Sequence, residues 1–186
     1  MPAAPRRTRS DALQNRERLL EVAAQVFAEQ GLDTAPAAIA RQAGVGVGTL
    51  YRHFPTREVL IDAAYRRQLT HVCEKVNDLL TRHSGADATR MWMEHFIQYA
   101  TAKSGMSEAL NAVIASGIDP YSDSRALLTD AVATLLAAGA RDGSLRTDVA
   151  PGNVLLLMGG IAYSVQCGTK EQARTLVDLF MDALRR

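Results

Sequence analysis

Apolar residues recur at intervals of three and four along most of the chain, the spacing of helices that bury one face. Leu13, Leu20, Ala23, Ala24 and Phe27 predict a first helix from about Asp11 to Gln30, capped by Ser10 or Asp11, with Gly31 in the C′ position. A second runs from Thr34 to Gln42, with Pro36 tolerated in its first turn because the missing N–H has no partner there anyway. A long helix over about 56–82 carries Val59, Leu60, Ala63, Leu69, Val72, Cys73, Val76, Leu79 and Leu80. Gly85 breaks the chain, and Asp87 caps a helix to about Thr101 containing Trp92, Phe96 and Tyr99. Gly105 opens another, with Met106, Ala109, Leu110, Val113 and Ile114 on one face. After the Ser116–Pro120 loop, a helix from Ser122 or Asp123 carries Leu127, Leu128, Ala131, Val132, Leu135 and Leu136 to Arg141, where Asp142-Gly143 ends it. Pro151 starts a helix with Ala150 as a cap that lacks a side-chain acceptor. The last helix has the capping-box spacing Thr169-x-x-Gln172 and the stripe Ala173, Leu176, Val177, Phe180, Met181, Leu184. The pattern predicts an all-α protein of about nine helices.

Between the second helix and the long one lies Ile39-Ala40-Arg41-Gln42-Ala43-Gly44-Val45-Gly46-Val47-Gly48-Thr49-Leu50-Tyr51-Arg52-His53-Phe54. Gly44 can take positive φ, end one helix and turn the chain. Leu50 and Phe54, four apart, fall on one inward face of the next short helix. Val47, Gly48, Thr49, Tyr51, Arg52 and His53 then occupy its other faces. Short, hydroxylated, cationic and aromatic side chains suit a helix lying in a DNA major groove. The small residues at 46–49 let the helix start come close to base edges, while Tyr51, Arg52 and His53 can meet phosphates. Spacing alone fits a DNA-binding helix-turn-helix and a plain Gly-rich link between two packed helices about equally.

The combination Ile39-Ala40, Ala43-Gly44-Val45, Gly48-Thr49-Leu50-Tyr51 and Phe54, followed by Arg57-Glu58 and Leu60, resembles the signature of the TetR family of transcriptional regulators. The motif covers about a quarter of the chain; the rest is similar only in length and helix layout. The resemblance implies a homodimeric repressor whose N-terminal three-helix domain binds double-stranded operator DNA. It also implies that a C-terminal helical bundle dimerises and takes a small-molecule inducer. Arg57, in the first turn of the long helix, matches a family position and becomes a candidate phosphate contact, against the alternative of an exposed surface arginine. Pro36 and Ala37 depart from the family, which normally has an aliphatic and a polar or charged residue there, so reading falls on Val47, Gly48, Thr49, Tyr51, Arg52 and His53. The expected division is a flexible basic arm over 1–10, a helix-turn-helix domain over 11–55 and a ligand-binding and dimerisation domain over 56–186. The arm is read either as a solvated tail or as a segment reaching along DNA.

The helix that begins at Pro151 is apolar nearly all round at Val154–Met158, so it needs cover on every side. Leu155, Met158 and Ala162, with Leu176, Phe180 and Leu184 of the last helix, are the candidate dimer contacts in a four-helix interface; burial of both helices within one chain is the alternative. The resemblance implies a pocket, for which Trp92, Phe96, Tyr99, Met106 and Leu110 are candidates, and adaptable Met with few charges favours a hydrophobic or aromatic ligand. His95 and Tyr163 are candidate polar contacts, with a satisfied core role as the alternative.

Charge adds one asymmetry to a formal net of +1. Residues 1–57 hold eight Arg against five Asp/Glu, and the remainder thirteen Lys/Arg against fifteen. The basic end is the one bearing the helix-turn-helix. At 47% hydrophobic and 22% charged residues the composition is that of an ordinary globular chain. Cys73 and Cys167 make neither a disulfide framework nor a zinc site. The four histidines have no metal-ligand spacing, and neither a nucleophile elbow nor a P-loop occurs, so no cofactor, metal or catalysis is expected. The N-terminal arginines precede no apolar run, and the longest apolar stretch, Val154–Val165, is too short for a bilayer, which needs about 20 residues. A cytoplasmic protein follows. Two rivals stay open: an all-helical ligand carrier without DNA binding, and a small helical enzyme with an acid/base pair in its cavity.

Overall fold

Glycine and proline set where the helices stop and start. The computed structural model describes residues 9–30, 34–168 and 170–186, apart from the side chains of residues 9, 28, 166, 167 and 170. Among these the elements are α1 (Arg9–Gln30), α2 (Pro36–Gln42), α3 (Val47–His53), α4 (Arg57–Leu80), α5 (Gly85–Gly105), α6 (Ser107–Ala115), α7 (Ser124–Asp142), α8 (Pro151–Cys167) and α9 (Lys170–Leu184). Gly44 has φ 68° and Gly143 φ 77°, both in the left-handed region where a Cβ is strained, and they close α2 and α7. Pro36 and Pro151 stand in the first turns of α2 and α8 behind Ala35 and Ala150, neither of which caps with a side chain. The expected C′ glycine Gly31, the capping threonine Thr169 and the basic arm over 1–8 lie outside the described residues.

The chain divides into two compact units. The first comprises Met1–Arg67 and Gly105–Asp119, the second Gln68–Ser104 and Pro120–Arg186. The boundary falls inside α4, and α6 belongs with the N-terminal helices.

In the first unit α1, α2 and α3 pack on one another. Leu19, Leu20, Ala23, Val26 and Phe27 of α1 are buried, as are Ile39, Ala40 and Ala43, Leu50 and Phe54, and Leu60, Ile61, Ala64 and Tyr65 of α4. Burying a side chain such as Phe54 contributes about 1.5–3 kcal/mol. Leu13 does not join this stripe: it is exposed, because the covered part of α1 begins only at Leu19. Ser10 lies inside the first turn of α1, which starts at Arg9, and so is not its cap. Ile114 is exposed as well, one position off the α6 stripe of Met106, Ala109, Leu110 and Val113.

In the second unit α8 packs on α7 and on α9. Gly85 does not break the chain here; it is the first residue of α5, which begins before the expected cap Asp87. Ser84 Oγ accepts the Asp87 N–H at 3.2 Å and donates to the Asp87 carboxylate at 2.7 Å. The Gly85 N–H donates to Asp142 Oδ2 at 2.6 Å, and the Ala86 N–H to Ser144 Oγ at 3.0 Å. The orphan donors of α5 are thus satisfied by the turn that follows α7. The Gly85 N–H, helped by Ser144, holds the Asp142 carboxyl below its ordinary range. A Cβ on Gly85 would strike the backbone of Gly139, and one on Gly139 would strike the Leu145 side chain. These glycines let α5, α7 and the following turn approach closely. The C-terminus is pinned there too: the Arg146 N–H donates to the Leu184 carbonyl at 2.9 Å beside the isolated bridge of Leu145 with Arg185. Leu127 is exposed, off the α7 stripe of Leu128, Ala131, Leu135 and Gly139. Trp92, fully buried, donates its indole N–H to the Val72 carbonyl at 2.9 Å, so α5 buries its largest ring without an orphan donor.

Candidate nucleic-acid interface

The turn from α2 into α3 is closed by the backbone itself. Ala43 N–H donates to Ile39 at 2.9 Å, Gly44 N–H to Arg41 at 3.0 Å and Val45 N–H to Ala40 at 2.9 Å. Leu50, 1% exposed, and Phe54 anchor α3 from below, and the Phe54 N–H returns to the Leu50 carbonyl at 2.8 Å. With those two positions committed inward, the helical period turns the others out. Val47 is 45% and Tyr51 47% exposed, an apolar and an aromatic surface four residues apart on the outer side of one short helix. Gly46, Gly48 and Arg52 are exposed, while Thr49 and His53 are half-buried, with the His53 ring 6.2 Å from that of Phe54. A Cβ added at Gly46 or Gly48 would meet no atom within 4 Å. Neither packing nor positive φ calls for glycine at those two positions.

Arg57 sits differently. Its guanidinium carbon stands 5.9 Å from the centre of the Phe27 ring, and its buried Nε and Nη2 find no acceptor among the described residues. Stacking on the aromatic face offsets part of that desolvation.

Sequence reasoning missed the side chains that brace α3 from behind. Arg16 of α1 lies over the Phe54 ring at 5.5 Å, and Glu17 beside it accepts from Arg67 of α4 at 2.6 Å. The Asp62–Arg66 pair on α4, spaced i,i+4, does carry a local signal.

The ligand candidates fall into two groups. Trp92, Phe96 and Tyr99 form a buried ladder along α5 in the second unit, with ring centres 5.6 and 6.1 Å apart. Met106 and Leu110 are buried in the first unit. One turn beyond Tyr99, Lys103 lies 4.3 Å from the Tyr121 ring, and burial lowers its pKa. Burial, then Lys75 and His71, lowers that of His95. Tyr163 is 67% exposed on α8, so it is not a core residue of its own chain.

The dimer candidates divide as well. Leu176 is exposed, and Leu155 and Phe180 are half-buried. Met158, Ala162 and Leu184 are covered by their own chain, because they fall on the stripes that lock α8 and α9 together. Besides Leu176, the outward apolar residues are Leu156 and Leu157 of α8, the helix that also carries Tyr163 and the open Gly159 and Gly160, and Leu179 of α9. Among the described residues no cluster of three metal-ligating side chains occurs, and no helix is long and apolar enough to cross a membrane.

Two regions of the chain match known families. Residues 19–64 match the bacterial regulatory proteins of the tetR family, and residues 84–186 match the C-terminal domain of SbtR-like transcriptional regulators. The TetR transcriptional regulator SCO0520 from Streptomyces coelicolor has a similar crystal structure, with 47% identity and TM-score 0.87 over 91% of this chain and 98% of that one. A TetR transcription regulatory protein from Mycobacterium vanbaalenii is 31% identical with TM-score 0.80, over 96% and 99% of the two chains. An HTH-type transcriptional regulator of Staphylococcus aureus (strain USA300) is 29% identical over 109 residues, 56% of this chain, and the match spans just over half (57%) of that relative's length. Because the matched regions take in α2, α3 and all of α5 to α9, and a solved relative is 47% identical over nearly its whole length, the chain belongs to the TetR family of DNA-binding transcriptional regulators.

Proposed function

We propose that the protein is a homodimeric repressor that holds a two-fold operator and releases it when a small hydrophobic or aromatic molecule binds the C-terminal region. The observation that carries the reading is the outward face of α3, where Val47 and Tyr51 stand exposed beside Arg52 and Gly48 while Leu50 and Phe54 fix the helix from behind. In this reading residues 11–55 are the reading head, 56–186 the ligand-binding and dimerisation part, and 1–10 a basic arm. Val47, Gly48 and Thr49 face base edges; Tyr51, Arg52 and His53 meet phosphates, and Arg57 joins them. Two heads then enter successive major grooves with half-sites about 10 base pairs apart.

Dimerisation is supported by the apolar face of α8 and α9, where Leu156 and Leu179 are 73% and 61% exposed. Isolated exposed leucines are unremarkable, but several on two helices that pack together, with two open glycines on one of them, support an interface. The contacts we assign are Leu155, Leu156, Tyr163, Leu176, Leu179 and Phe180, with Met158, Ala162 and Leu184 supporting them from beneath. Inducer binding near the Trp92–Phe96–Tyr99 ladder would shift α4 and so change the spacing of the two heads, lowering operator affinity by favouring a state that no longer fits both half-sites. Such a protein works in the cytoplasm, where its operator is.

In vitro selection of duplexes with the purified chain, followed by gel shift of wild type and of Tyr51→Ala, Thr49→Ala and Arg57→Ala, tests the reading. Tyr51→Ala and Arg57→Ala are expected to weaken selected and random DNA alike, and Thr49→Ala to change sequence preference. Unchanged affinity and preference in all three would overturn the assignment of α3.

A further inference from the structure

Two consecutive arginines on α4 reach to opposite ends of the first unit. Arg66 Nε donates to both carboxylate oxygens of Asp62 one turn back, at 2.9 and 3.0 Å, and its Nη2 donates to the Asp119 carbonyl at 2.8 Å. Asp119 follows the turn that ends α6, where Gly117 has φ 88°. Arg67 Nε donates to Glu17 Oε2 on α1 at 2.6 Å. The other Glu17 oxygen lies 3.7 Å from Arg16 Nη1, and Arg16 stands over the ring of Phe54, the residue that closes α3.

These contacts form one series: Asp119, Arg66, the α4 backbone, Arg67, Glu17, Arg16, Phe54. Every member belongs to the first unit. The planar guanidinium matters at Arg66. Asp62 fixes the plane of Arg66 through Nε, which leaves Nη2 aimed at the carbonyl, and a lysine ammonium could not hold both partners in that geometry. Taken singly, partly exposed ion pairs of this kind contribute little stability. Placed in series through adjacent residues of one helix, they offer a mechanical path between the turn after α6 and the end of the recognition helix.

We propose that this series couples the 116–119 turn to α3, with Arg66 and Arg67 as positioning residues. Displacing the turn changes how α1 and α3 are held, and by reciprocity DNA held at α3 restrains the turn. The inference rests on α3 being the DNA-reading helix.

Hydrogen–deuterium exchange of the full-length protein, with and without a duplex enriched by in vitro selection, tests both separately. In the wild type, DNA is expected to slow exchange in peptides covering 47–54 and, about fivefold or more, in those covering 113–119. In Arg66→Met and Arg67→Met the first effect stays and the second is lost. Should Arg66→Met not fold, Asp62→Asn, which keeps the arginine but frees its plane, carries the test. A purely structural role would instead speed exchange throughout the variants with and without DNA, leaving the DNA-dependent change at 113–119 intact. That result, or a wild type in which DNA protects 47–54 but not 113–119, overturns the coupling and leaves the DNA-binding reading standing. Absence of protection at 47–54 in the wild type would sink that reading, and the coupling with it.

Discussion

Replacing Gly48 by alanine separates the needs of the fold from the needs of DNA binding. Gly48 is the second residue of α3, and a Cβ built on it meets nothing within 4 Å. Its φ is not positive, so alanine introduces no backbone strain. Within a helix alanine is favoured over glycine by about 0.5–1 kcal/mol, chiefly because the unfolded chain has less freedom to lose. In a first turn the lower end applies, and at about 2–4 °C per kcal/mol for a chain of this size the melting temperature should rise by about 1–2 °C. If the start of α3 approaches base edges, the same methyl group stands between helix and DNA. A cost the size of one mismatched base pair, about 1–3 kcal/mol for each head, would lower operator affinity about tenfold or more. Fluorescence anisotropy on a selected duplex, paired with calorimetry, reads both quantities on one preparation. A Gly48→Ala protein that is more stable and binds unchanged would show that the glycine is not there for close approach. One that melts lower would show that the space beside it is not open.

Arg57→Ala should weaken selected and random DNA alike and reduce the slope of log affinity against log salt by about one, measured by titration at several salt concentrations; an unchanged slope would leave Arg57 as a cover for Phe27. Phe180→Asp puts a charge at the edge of the open apolar face and should give monomers by sedimentation at micromolar concentration, and a wild type that is itself monomeric would remove the interface. Gly139→Ala drives a methyl group into Leu145 and should destabilise by about 1–3 kcal/mol in a urea melt, whereas Gly159→Ala, mid-helix with open space around it, should stabilise the isolated chain by about 0.5–1 kcal/mol. Burial pushes the Cys73 thiol from its ordinary 9.0 up to about 11. The unfolded thiol therefore ionises first. Below about pH 9 neither state is ionised and the difference is silent, and stability falls as pH rises through the interval up to about 11. In a Cys167→Ser background at pH 8, Cys73 should react with a disulfide reagent far more slowly in the folded than in the unfolded chain; equal rates would refute its protection.

Much of this fold is legible from periodicity and punctuation, because both are local. Gly44, Gly143, Pro36 and Pro151 act where their conformational limits require, and the stripes of α4 and α9 fall inward at Leu69, Val72 and Val76 and at Ala173, Val177 and Met181. The exposed side of α3 is legible for the same reason: Leu50 and Phe54 are four apart, and once they point in, Val47, Gly48, Tyr51 and Arg52 are left outside, with Thr49 and His53 half-buried at the sides. Family membership then decides between a helix-turn-helix and a mere Gly-rich link, and sets aside the carrier and the enzyme.

What stays hidden depends on partners distant in sequence. Gly85 reads as a chain break until Gly139, 54 positions on, is seen against it, for a glycine demanded by a neighbouring backbone looks the same as one demanded by a turn. Glu17 and Arg67 are fifty residues apart and carry no pattern that would pair them. Periodicity also fails on α8, where apolarity all round says that every face needs cover without saying which neighbour covers which. Met158 and Ala162 turn toward their own chain and Leu156 away from it, although by composition the three are equivalent. An apolar helix face left open after its own chain has folded therefore says more about a second chain than total apolarity does, and the outward Leu156 and Leu179, rather than the buried Met158 and Leu184, are where a designed charge would act on assembly without first unfolding the chain.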